Sequence, residues 1–288
     1  MKKTCEVCST EIPESFVNAL CMPCYGLLGR EQGVPLTSAD KREIEGVVSQ
    51  RNGITDESYV ENEEVDEIDL VSRSHGRFKG MGIVMPDAQR KIYEAIRDYC
   101  RNEFVTKHIQ YPKFIWKPKV IDIGMGLGIG TNILSQEADY VLGTDKNEEN
   151  VRWASQMFSR QKNNMYWSPQ IDFMVSDVKT DDREYMKFDV VACIEVIEHF
   201  KDISPLIQFI KNVSKKETAI FISTPNRNAW KGQERAKRPL NIHHVKEYTS
   251  SEFKDILSES FASVEIYDSE LKGRECETIT PVVAFCRI

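Results

Sequence analysis

From Lys119 to the C-terminal end, short apolar runs bounded by turn residues alternate with amphipathic stretches. The runs are KVIDIG, YVLGTD, IDFMVSD, FDVVACIE, AIFISTP, SVEIYD and VVAFCRI. Between them lie TNILSQEA, NEENVRWASQMFSRQ, ISPLIQFIKNVSKK and SSEFKDILSES, which read as helices. The β-branched and aliphatic content of the runs suits strands buried on both faces, so the alternation predicts a seven-stranded, mainly parallel sheet flanked by helices, an α/β fold. A further helix precedes the first strand, opened by Pro86 and Asp87, with Ile92, Ala95, Ile96 and Tyr99 at helical spacing. The last two runs are joined by ELKGRECETIT, which has no helix pattern, so they could pair as an antiparallel hairpin at one edge.

The residues upstream obey a different logic. A chain of 288 residues holds one large α/β domain plus a small accessory module. Cys5 and Cys8, then Cys21 and Cys24, form two CxxC pairs separated by twelve residues. That is the ligand count and spacing of a tetrahedral structural zinc site, and the segment resembles a zinc ribbon with CMPCYG as a tight knuckle. Four thiolates close the shell, so the Zn²⁺ would hold together a module too small to have much core of its own. The alternative is a redox dithiol or a pair of buried cysteines. From Asp56 to Asp69, DESYVENEEVDEID carries acids with no Lys or Arg, which reads as a solvated connector. The expected organisation is therefore a zinc ribbon over 1–30, a polar, partly acidic linker over 31–76 and the α/β domain over 77–288. No apolar run reaches the roughly 20 residues of a membrane span and MKKTCEVCSTEIPE lacks a signal-peptide stretch, so a cytoplasmic protein is expected. A net charge of −7 argues against non-specific coating of nucleic acid.

The richest single string is VIDIGMGLGIGT, in which Asp122 precedes Gly124, Gly126, Gly128 and Gly130 as a strand gives way to a helix. Glycines there let the backbone turn sharply and approach a ligand without a clashing Cβ. A dinucleotide fingerprint needs G-x-G-x-x-G, and neither frame fits, because Ile129 or Thr131 falls at the third position. Asp145 ends the second run about 20 residues later, where an acid can accept both hydroxyls of a ribose. Asp177 ends the third run. Each aspartate also has an ordinary reading as a cap or turn former. Acids at the ends of three successive strands, on the side where such sheets bind ligands, point instead to a shared site.

The D-x-G-x-G-x-G turn, FDVVACIEVIEHF after the fourth run, FISTPNR and HHVKEYTSSEF together resemble the class I, Rossmann-like methyltransferases that use S-adenosylmethionine, over roughly residues 78–288. The likeness is to members with E-x-x-E-H after the fourth strand. It implies that the glycine turn faces the methionine part of the cofactor and that Asp177 accepts from the adenine amino group, with Val178 beside it. It also implies methyl transfer, O- or N-directed, to an acceptor that could be a small molecule, a nucleic acid or a protein.

Glu195, Glu198 and His199 stand at i, i+3 and i+4, so on a helical turn they would share one face. Carboxylates with imidazole suit a divalent ion, Mg²⁺ or Mn²⁺, that would polarise an acceptor hydroxyl. In the metal-binding relatives a further histidine follows the fifth strand, which matches His244, with His243 as its neighbour. The alternatives are general-base catalysis by His199 or His244, or a purely bracing role for Glu198 and His199. Cys193, inside the fourth run, reads as a core residue. The segment NRNAWKGQERAKRPLNIHH carries Arg227, Lys231, Arg235, Lys237 and Arg238 against Glu234, so an anionic substrate is conceivable, with Trp230 as a stacking or lid residue. The rival to an enzyme is a catalytically silent methyltransferase fold that acts as a binding or structural component, with the ribbon as its docking element.

Overall fold

The computed structural model describes residues 3–4, 11–12, 85–105, 116–158, 170–229, 239, 241, 243–273 and 280–288. Two compact units divide the chain, one of Met1–Val65 with Trp230–Lys246, the other of Asp66–Ala229 with Glu247–Ile288. In the first, Lys3–Thr4 pairs antiparallel with Glu11–Ile12. Cys5, Cys8, Cys21 and Cys24, and all of the expected connector, lie outside the described residues. Among the described residues, no helix is long and apolar enough to cross a membrane.

All seven predicted strands form in the second unit: β1 (Lys119–Ile123), β2 (Tyr140–Asp145), β3 (Gln170–Val175), β4 (Phe188–Ile194), β5 (Ser214–Thr224), β6 (Ser263–Tyr267) and β7 (Val282–Arg287). They make one sheet in the order β3-β2-β1-β4-β5-β7-β6. The first five are mutually parallel, and the order reverses at β1, which pairs with β2 on one side and β4 on the other. β7 runs antiparallel to both β5 and β6, so the hairpin expected at the end of the chain forms with its second strand tucked inside the first. The segment between them carries no helical pattern to pack across a sheet face, and the chain returns antiparallel.

Every residue of β4 is buried, which is why FDVVACI has no polar face to show. One side of the sheet packs on α4 (Ser204–Val213) and α5 (Ser250–Ser258) through Leu206, Phe209, Ile210, Phe253 and Leu257. The other side packs on α1 (Asp87–Cys100) and α2 (Ile129–Leu134) through Ile92, Tyr93, Ile96 and Leu134. α1 therefore buries Ile92, Tyr93, Ile96 and Cys100, a stripe turned slightly from the one expected, since Ala95 and Tyr99 stay partly exposed. α3 (Glu148–Phe158) covers β2 and β3, with Ala154 packed among Met125, Phe158 and Phe173. α5 starts at a capping box in which Thr249 Oγ1 accepts from the Glu252 N–H and the Glu252 carboxylate accepts from the Thr249 N–H. In a parallel sheet all strand ends of one polarity fall along one edge. Residues 122–128, 145, 177 and 195–199 thus come to the same rim although they are far apart in sequence.

Candidate active site

The glycine turn runs from β1 straight into α2, and its shape is unusual backbone. Gly124, Gly126 and Gly128 have φ of +69°, +55° and +73°, a left-handed region that other residues reach only at a cost. A Cβ at Gly124 would lie 2.5 Å from Val196 Cγ2, and one at Gly128 would lie 2.8 Å from Ala154 Cβ, so these two are closed by the protein's own packing. At Gly126 a Cβ would meet nothing within 4 Å. The apex of the turn is bare backbone bordered by open space, the condition under which a ligand can rest against the main chain.

Asp145 at the end of β2 props that apex. Its Oδ2 accepts from the Gly126 N–H at 2.8 Å, and its Oδ1 accepts from the Asn147 N–H at 2.8 Å. The Met125 N–H donates to the Thr144 carbonyl at 3.0 Å, a second tie between turn and strand. Asp145 is only half-buried, so its carboxylate both shapes the turn and stays partly open to solvent.

Asp122, expected beside the cofactor, is held by the protein's own donors. It is fully buried, and its two carboxylate oxygens accept from Tyr93 Oη at 3.1 Å and Thr131 Oγ1 at 2.7 Å. Burial pushes its pKa up to about 7, against the two hydrogen bonds, which lower it. It sits behind the turn and ties β1 to the first turn of α2. Asp177 is half-buried at the end of β3, and its Oδ1 accepts from the Lys179 N–H at 3.0 Å, the ordinary turn-forming use, while Val178 packs on the main core. Beside it lies a cluster unmarked in the sequence: Asp181 accepts from Ser176, Arg183 and Tyr185, and these bonds, Arg183 first, hold its carboxyl well below the usual range. The Arg183 guanidinium also donates to the Val175 carbonyl at 2.7 Å, which closes the loop after β3.

The E-x-x-E-H string does not form one helical face. Only Ile197–His199 is helical, as a single 3-10 turn, and Glu195 precedes it with φ of 58°. A left-handed glutamate is strained, and Ser223 from β5 holds it at two points. The Glu195 N–H donates to Ser223 Oγ at 3.0 Å, and Ser223 Oγ donates to Glu195 Oε1 at 2.8 Å. Glu198 is fully buried, and its pKa is driven well up, mainly by that burial and then by the nearby charge of Glu195. His199 is half-buried. Cys193 is the expected core thiol, with burial pushing its pKa well up. In the other unit, a turn from Asn241 carries both histidines: the His243 N–H donates to Asn241 Oδ1 at 3.1 Å, and Asn241 Nδ2 lies 2.9 Å from His244 Nε2.

Of the basic residues expected to meet an anionic substrate, Arg227 is already engaged. Its guanidinium pairs with Glu252 at 2.7 Å and donates to the Glu247 carbonyl at 3.1 Å. Trp230, Lys231, Glu234, Arg235, Lys237 and Arg238 lie outside the described residues. The side chains that sequence reading passed over are Tyr93, Thr131 and Ser223. Tyr93 stood next to a marked position, Ile92, but no local pattern tied it to Asp122.

Comparison with known proteins agrees with this geometry. A family model described as "Methyltransferase domain" matches residues 89–260. A ubiquinone biosynthesis O-methyltransferase of Glaesserella parasuis is 35% identical over 114 residues, which cover 38% of this chain and 47% of that protein. The mitochondrial enzyme of the same name from Dictyostelium discoideum is 28% identical over 229 residues, covering 72% of this chain and 69% of that protein. Across the first of these curated relatives the chain spans about half their length, 47% and 55% in the two bacterial examples from Glaesserella parasuis and Idiomarina loihiensis. Among solved structures, the plantazolicin methyltransferase BpumL in complex with SAH is 17% identical, with a TM-score of 0.52 over 76% of this chain and 90% of that one, a likeness of fold. With the family model covering more than half of the sequence, the chain belongs to the methyltransferase-domain family.

Proposed function

We propose that the chain transfers a methyl group from S-adenosylmethionine to an oxygen of an acceptor molecule. The observation that carries this reading is the bare apex at Gly126, where a Cβ would meet nothing within 4 Å while Asp145 stands beside it. A methionine moiety would rest on that apex, and the ribose hydroxyls would donate to Asp145. The adenine would lie toward Asp177 and Val178. The names of the curated relatives, O-methyltransferases, favour oxygen over nitrogen as the nucleophile.

The reaction asks mainly for alignment, because the sulfonium is already a strong electrophile. The acceptor oxygen forms a bond to the methyl carbon as the carbon–sulfur bond breaks, the electron pair stays on sulfur as a thioether, and the hydroxyl proton leaves to a base or to water. Glu195, Glu198 and His199 stand at the end of β4, on the rim that also carries the glycine turn. Carboxylate and imidazole are donor types that suit a hard divalent cation, and burying Glu198 near the charge of Glu195 without relief is costly. His244 joins this set on the sequence resemblance. A divalent ion there, Mg²⁺ or Mn²⁺, would supply positive charge that lowers the pKa of an acceptor hydroxyl. Without an ion, His199 or His244 would take the proton as a general base.

Calorimetric titration with S-adenosylhomocysteine tests the cofactor reading, and an absence of binding by the intact protein rejects it. We also propose that Cys5, Cys8, Cys21 and Cys24 hold a structural Zn²⁺, on the strength of their spacing. Protein purified under reducing conditions should carry one zinc that Cys21→Ser releases, and zinc-free wild-type protein would reject the ribbon.

A further inference from the structure

The helix that precedes the sheet reaches under the glycine turn. Tyr93 of α1 is 1% exposed, and it does two things there. Its ring lies flat against Gly130, so close that a Cβ at Gly130 would fall 2.2 Å from Tyr93 Cζ. Its hydroxyl donates to Asp122 Oδ1 at 3.1 Å. Asp122 in turn accepts from Thr131 Oγ1 at 2.7 Å with its other oxygen, and its backbone carbonyl accepts from Thr144 Oγ1 at 3.4 Å. α1 and the first turn of α2 are thereby fastened to the buried Asp122 carboxylate, and the end of β2 to its backbone carbonyl. Three left-handed glycines lie between those fixed points, and their shape rests on these ties together with those that Asp145 and Thr144 make to the turn, since glycine has the least intrinsic preference of any residue.

We infer that Tyr93 is a positioning residue for the cofactor: its hydroxyl, acting through Asp122 and Thr131, holds the glycine turn in the form that receives the amino-acid part of the ligand. This rests on the proposed function, which seats that part of the cofactor at Gly126. Tyr93 and Thr131 are both buried behind the turn. The ring contact with Gly130 sets how closely α1 and α2 approach, while the hydroxyl sets where the carboxylate, and with it the turn, comes to rest. Substituting Tyr93→Phe keeps the ring and deletes only the hydroxyl.

The test compares two nucleosides that share the adenosine part and differ in the amino-acid part, S-adenosylhomocysteine and 5′-methylthioadenosine. Loss of one hydrogen bond to a charged group should weaken S-adenosylhomocysteine binding by Tyr93→Phe about tenfold. Binding of 5′-methylthioadenosine should stay within about twofold of wild type, because the ribose and adenine contacts lie on β2 and β3. Thr131→Val, which removes the other donor to Asp122 without changing shape, should give the same split, and it carries the test if Tyr93→Phe does not fold. Equal weakening of both nucleosides would mark general loosening and overturn the inference, as would wild-type affinity for both in the two variants. Wild-type protein that binds neither nucleoside would overturn the functional reading and this inference together.

Discussion

Two ends of the same sheet rim treat their carboxylates in opposite ways. Beneath the glycine turn, Asp122 and Asp145 are each surrounded by N–H and O–H donors, and their effect is to fix the path of the backbone. At the end of β4, Glu195 and Glu198 are brought toward each other, one in a left-handed backbone conformation and the other sealed from water. The first arrangement is what a binding surface needs: a rigid shape, bare at Gly126, with its polar groups already satisfied. The second is what chemistry needs, since like charges crowded in low dielectric are unstable until a proton, a cation or a substrate relieves them. On the proposed function, the contrast divides labour within one fold, cofactor shape on one side of β1 and acceptor chemistry on the other.

The sharpest way to break that division is at the apex. Gly126→Val places a branched side chain in the open space and forces φ of +55° on a residue that resists it. S-adenosylhomocysteine binding should become undetectable by calorimetry while the far-ultraviolet circular dichroism of the sheet is retained. Normal affinity in this variant would show that the ligand sits elsewhere. Next in size is Glu198→Gln, which keeps the shape and removes the charge at the other end. Methyl transfer to a working acceptor should fall on the order of a hundredfold while S-adenosylhomocysteine affinity is unchanged. Chelator should imitate the variant if an ion is held there, and activity that survives chelator but falls below a pH near 6.5 points instead to a histidine base. A parallel loss of affinity would dissolve the distinction between the two ends.

The smallest effect concerns stability. Asp122 has a folded-state pKa raised to about 7 by burial, so its stabilising contribution is fully present below the ordinary carboxylate value. It is lost as pH rises through the folded value, that is, between about pH 4 and pH 7, at a slope of at most about 1.4 kcal/mol per pH unit. Thermal melts of wild type and Asp122→Asn across that window should therefore differ in slope, with the variant flatter. Identical slopes would mean that Asp122 titrates as an exposed carboxylate and that the seal behind the turn is not closed.

How much of this was legible before the structure depends on the range of each interaction. The strands were readable from KVIDIG to VVAFCRI because burial on both faces leaves its mark on every residue of a run, and the glycine turn because left-handed backbone selects glycine residue by residue. E-x-x-E-H was readable as a constellation, but not as a geometry. Spacing assumed a helix, whereas Ser223, 28 residues away, pins Glu195 outside the short turn that follows. Arg227 looked like a free cation in a basic segment, and only the capped start of α5 brings Glu252 to it.

By itself, then, the sequence determined the sheet, its flanking helices, the glycine turn and the acids at the strand ends, since all of these are written in periods and spacings of a few residues. The tertiary structure alone decided what each acid does. Tyr93 and Asp122 are 29 residues apart, and they meet because α1 packs across the face of β1 and α2. Whether a carboxylate becomes a ligand for the cofactor, a buried clamp or half of a strained pair depends on which donors and which walls surround it, and those arrive from other strands and helices that no local pattern can name.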